Sequence, residues 1–117
     1  MKILGLSRIN SGCGYHRIVC PLGFMNDIKA HVTNLITPEV LEKNWDIIFY
    51  NRFSSIDDEL HNYKINHKIV LDLDDDWKLP PNHLSYYDYS ILKNRLEENI
   101  LKADLVICSN ERILNRV

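Results

Sequence analysis

The chain has 117 residues, of which 45% are hydrophobic and 26% charged, with a formal net charge of −2. That composition describes one ordinary globular domain with one core. The small negative charge, and the lack of a basic face interleaved with aromatics, give no electrostatic ground for a nucleic-acid partner.

Taken in order, Ile3–Leu6 is a short apolar run that predicts a first strand. Residues 7–14 read Ser-Arg-Ile-Asn-Ser-Gly-Cys-Gly, a turn-rich loop. A helix is predicted from Tyr15 to Asn26, with Ile18, Val19, Leu22 and Met25 facing inward and Pro21 kinking or breaking it midway. Ala30–Ile36 predicts a second strand. Thr37 caps a short helix over Pro38–Lys43, because proline suits a first turn. Asp46–Tyr50 is strongly β-prone, and Asn51-Arg52 follows at its C-terminal end. Ser55–Tyr63 reads as helix, with Asp57, Asp58 and Glu59 in the first turn.

Lys68–Leu73 is a further strand, running directly into Asp72, Asp74, Asp75, Asp76 and Trp77. Residues 77–85 contain Pro80-Pro81 and predict a rigid irregular loop. Tyr86–Lys102 is the longest helical pattern, with a core stripe of Tyr89, Leu92, Leu96, Ile100 and Ala103. Leu105–Cys108 is the last strand, and Ser109-Asn110 caps a helix beginning at Glu111. That helix runs to Val117 without a terminator, so the natural chain is expected to continue.

Strands alternating with helices predict an α/β fold: a Rossmann-like, doubly wound parallel sheet of about five strands with helices on both faces. The expected strand order is 3-2-1-4-5. It places the glycine loop and the acidic strand end across one crevice, where open α/β sheets bind ligands.

Two constellations could carry chemistry. In the first, Gly12 and Gly14 precede a helix start beside His16 and Arg17, a setting for phosphate or sugar contacts. It is neither G-x-G-x-x-G nor a P-loop, and a plain tight turn explains it equally well. In the second, the crowded aspartates admit several readings: a magnesium site, a phosphoryl-transfer nucleophile, hydroxyl recognition with Trp77 as an apolar sugar platform, or a solvated strand end. The nucleophile reading rests on a likeness to the Asp-x-Asp-x-Thr motif of haloacid-dehalogenase-type phosphatases. Asp72 and Asp74 carry it here, and Asp76 stands in place of the threonine.

Cys13, Cys20 and Cys108 form no C-x-x-C pair, which argues against a disulfide framework or structural zinc and suits a reducing, cytoplasmic setting. The N-terminal apolar run is shorter than a signal-peptide core of roughly 7–15 residues. No segment approaches the roughly 20 apolar residues of a membrane span. Association with a membrane surface stays open.

Four stretches resemble the N-terminal, acceptor-side domain of GT-B glycosyltransferases of the group that includes family 4. They are Met1–Gly5 with the glycine loop and Tyr15–Asn26; Lys29–Thr33; Trp45–Arg52, similar to an "Asp-Val-Val-His" strand; and Glu97–Asn110, with its "Ala-Asp-x-Val-Ile-x-Ser" run. The resemblance implies that residues 1–117 are one Rossmann-like half of a two-domain enzyme, inactive alone. Its partners would be a nucleotide-sugar donor, a glycan or lipid-linked acceptor, and a missing C-terminal domain. It implies no bound metal or cofactor. By position, Gly12 and Gly14 would lie near donor phosphates, and Asn51, Arg52, Asp72, Asp74, Asp75, Trp77 and Ser109 would line the cleft. A non-enzymatic α/β binding module is the remaining alternative.

Overall fold

A computed structural model of the chain describes residues 1–7, 12–34, 37–52 and 67–117. Its frame is a five-stranded, all-parallel sheet: β1 (Lys2–Leu6), β2 (Lys29–Thr33), β3 (Ile47–Asn51), β4 (Lys68–Leu73) and β5 (Leu105–Cys108). The helix predicted over Ser55–Tyr63 lies outside the described residues.

The strand order is β2-β1-β3-β4-β5, which corrects the expected 3-2-1-4-5. The third strand does not extend the sheet beyond the second. It returns past β1 and pairs with it, Ile3 opposite Ile47 and Leu6 opposite Tyr50. Burial explains the choice. Ile47-Ile48-Phe49-Tyr50 is apolar on both faces and suits an interior position. Lys29, Ala30 and His31 of β2 are all exposed, as fits an edge. The topological switch point therefore falls between β1 and β3.

Two apolar clusters sandwich the sheet. On one face Leu4, Leu6, Ile48, Tyr50, Leu71 and Leu73 pack with Trp45, Trp77, Leu96 and Ile113. Helix α2 (Pro38–Leu41) contributes Val40 there, and helix α3 (Tyr86–Lys102) contributes Leu96, Tyr89 and Ile100. Thr37 caps α2 by accepting from the Val40 N–H, and Asn110 caps α4 (Glu111–Leu114) by accepting from Ile113 N–H at 3.1 Å. On the other face Ile3 packs with Ile18 and Leu22 of helix α1, which spans residues 12–24.

Helix α1 holds the local surprise. Its middle, Tyr15–Val19, is π-helical, and the Cys20 N–H reaches the Tyr15 carbonyl. Pro21 follows directly, at the start of the α-helical stretch Cys20–Phe24. In an unbroken α-helix its ring would collide with the carbonyl four residues back. The wider turn accommodates the proline without the predicted break. At Gly5, a Cβ would lie 2.7 Å from Leu22 Cδ1 and 2.9 Å from Ile18 Cγ2, so glycine there lets α1 lie close on the sheet.

Helix α1 covers only part of its face. Beside it runs a groove of about 380 Å³ floored by Phe49, Val70, Leu105 and Ile107, with His16, Arg17 and Asp72 also lining it. Leu105 and Ile107 are 55% and 40% exposed. Among the described residues no helix is long and apolar enough to cross a membrane.

Candidate functional site

The C-terminal ends of β3, β4 and β5 form a crest built by register. Asn51 and Asp72 are direct partners on neighbouring strands. Their side chains share a face, so the Asn51 amide donates to Asp72 Oδ2 at 2.8 Å and to Asp74 Oδ1 at 3.0 Å. Asp72 is only 1% exposed. Its charge is met by Arg17, which reaches across from α1: Nε donates to Oδ2 at 2.8 Å and Nη2 to Oδ1. The Asp72 hydrogen bond is the main reason the Arg17 guanidinium is held still more firmly charged than usual.

Arg52 is the only non-glycine residue at positive φ among those described, with φ at 55°. Two backbone bonds and one side-chain bond hold the residue there. Its N–H donates to the Asp72 carbonyl at 3.0 Å, its carbonyl accepts from Asn99 Nδ2 at 3.2 Å, and its Nε donates to Asn51 Oδ1 at 2.9 Å. Nη1 then reaches Asp75 Oδ2 at 2.8 Å and Tyr89 Oη at 2.9 Å, while Nε lies 3.3 Å from Asp74 Oδ1. Tyr89 also donates to Asp75 Oδ2 at 2.9 Å. Burial pushes the Tyr89 phenol up, and Asp75 adds to that against the opposing pull of Arg52.

Asp76 forms a separate pairing. Its Oδ1 accepts from Lys78 N–H at 2.9 Å, and its Oδ2 meets Arg112 at 3.1 Å and Arg116 at 3.4 Å. Burial opposes its ionisation, but the Lys78 N–H and the two guanidinium groups prevail and hold the carboxyl below its ordinary value. Ser109 closes the crest, its hydroxyl 3.4 Å from the Asp74 carbonyl.

All four aspartates thus pair with arginines of the same chain, Asp74 and Asp75 sharing Arg52. Arg17, Asn51, Arg52, Asp72, Asp74, Asp75 and Ser109 converge. Trp77 does not join them. It is 3% exposed, with its ring in the core and its Nε1 toward Glu97 at 3.4 Å, so no indole face is offered to a sugar. His16 is exposed and sets its ring edge-on to Tyr15. Gly12 is exposed with open space where a Cβ would sit, and Gly14 is buried in the helix. Strand β3, not a crevice, separates β1 from β4, and Arg17 is what bridges the two sides.

Sequence reasoning missed Tyr89, Asn99, Arg112 and Arg116 as parts of this network. Asn99 carried a signal: it is a polar residue three positions after Leu96, and it is 2% exposed. Among the described residues, no group of three or more His, Cys, Asp or Glu side chains could hold a metal ion. Comparison with family models, characterised proteins and solved structures gave no match.

Proposed function

We propose that this chain is the acceptor-side domain of a glycosyltransferase, moving a sugar from a nucleotide-sugar to a glycan, lipid-linked or other acceptor. The observation that carries the reading is the polar crest beside the β1/β3 switch point, the place where open α/β sheets take their ligands. There Asn51, Arg52, Asp74, Asp75 and Ser109 offer donors and acceptors suited to sugar hydroxyls. The mechanism is positioning and electrostatic stabilisation of a leaving diphosphate, with the cleft completed by a second domain.

The local resemblance of residues 103–109 also supports it. Asp104 there accepts from Ile69 N–H at 2.9 Å, and that bond is the main reason its carboxyl is lowered. The phosphatase reading loses support because Asp72 is buried and both its oxygens are held by Arg17 and Asn51, leaving no free nucleophile. The full internal pairing of the aspartates instead favours an α/β binding module as the second reading.

Calorimetry of nucleotide-sugars against the full-length protein, followed by sugar-transfer assays, tests the proposal. Binding with transfer supports the enzyme. Binding without transfer supports the module, and no binding of any nucleotide-sugar sinks the glycosyltransferase reading.

A further inference from the structure

The opposite end of the sheet holds a second cavity, with several charged side chains in its lining. A pocket of about 440 Å³ opens at the strand N-termini, lined by Lys2, Lys29, His31, Glu42, Lys43 and Trp45 among others. Its size is that of a small-ligand site. Lys2 and Lys29 are register partners on β1 and β2, strands that lie about 4.8 Å apart. Alternation along the strands puts both side chains on the same face, with His31 two residues further along β2. Like charges placed directly opposite one another destabilise a sheet.

Lys43 enters from the segment after α2, and His31 stacks on Trp45 with centroids 6.0 Å apart. Among the described residues none of the three ammonium groups has an ion-pair partner. Glu42 is the one carboxylate in the lining. Asp46 lies nearby and accepts from the Lys2 backbone N–H at 2.7 Å. The crest shows the contrast, since every cation named there is matched to an aspartate.

We infer that this pocket binds a compact multivalent anion of the phosphate class, held by Lys2, Lys29 and Lys43. The bound anion relieves the repulsion between the paired lysines. The inference is independent of the glycosyltransferase reading, because the pocket and the crest lie at opposite ends of the strands.

The test is calorimetric titration of the full-length protein with pyrophosphate at low and high salt. Saturable binding that weakens with salt is expected. Lys29→Ala and Lys43→Ala should each weaken it about tenfold, and Lys93→Ala, at an exposed position on α3, should leave it unchanged. Circular dichroism confirms that each variant is folded, and Lys43→Ala alone decides if Lys29→Ala is not. Absence of saturable binding, or equal binding by the Lys29→Ala/Lys43→Ala double variant, overturns the inference. So does binding to phosphatidylglycerol vesicles with none to pyrophosphate, which would make this end a lipid-facing surface.

Discussion

Removing the Arg17 guanidinium should expose how the crest is held. In Arg17→Met the stem is kept and the charge is lost. Asp72, 1% exposed, then keeps only the Asn51 amide. Breaking a buried pair by deleting one partner costs about 3–5 kcal/mol. Here the Arg17 side chain is 31% exposed and Asn51 remains, so a loss of about 2–3 kcal/mol is expected. Urea unfolding reads this as a midpoint lower by about 1–2 M.

Arg17→Met/Asp72→Leu should recover much of the stability, because no charge is left buried. A cost under about 0.5 kcal/mol at pH 7 would refute the reasoning.

Three further outcomes are expected. Gly5→Ala should destabilise by about 1–3 kcal/mol in thermal unfolding, because the new methyl meets Leu22 and Ile18 inside contact distance. Arg52→Gly should be more stable than Arg52→Ala by about 1–2 kcal/mol, since both lose the guanidinium and only glycine relaxes the positive φ; an equal or reversed order would mean the backbone is not strained. Asp76→Asn should cost stability at neutral pH and progressively less as pH falls through the lowered folded pKa. The depressed carboxyl contributes above its unfolded value and stops contributing once protonated; a gap in thermal midpoint unchanged down to pH 3 would contradict this.

Much of the frame was legible because side-chain period reports local structure. Lys68–Leu73, Leu105–Cys108 and Tyr86–Lys102 appear with the boundaries that their patterns predict. Strand order was not, since period says nothing about where a strand pairs. The cue lay in comparing strands: Ile47–Tyr50 is apolar on both faces, while Lys29 and His31 mark β2 as an edge. Taken alone, the expected order puts Asn51 and Arg52 two intervening strands away from the aspartates they contact, and only the family resemblance grouped them in one cleft. Tyr89 was read only as core, and its ring does pack there, but its hydroxyl ends in the crest. Trp77 adjoins the aspartates in sequence, yet its ring turns inward. Adjacency along the chain did not decide either orientation.

The crest is wired almost entirely by residues remote in sequence: 55 positions separate Arg17 from Asp72, 37 separate Arg52 from Tyr89, and 40 separate Asp76 from Arg116. Such contacts require the sheet to be ordered from β1 to β5 before they can close, so they contribute late along the folding coordinate. The network then behaves as a latch. Weakening it should leave the folding limb of a chevron nearly unmoved and steepen the escape from the native state. A ligand bound at the crest would in turn lengthen the lifetime of the folded protein more than it hastens its formation.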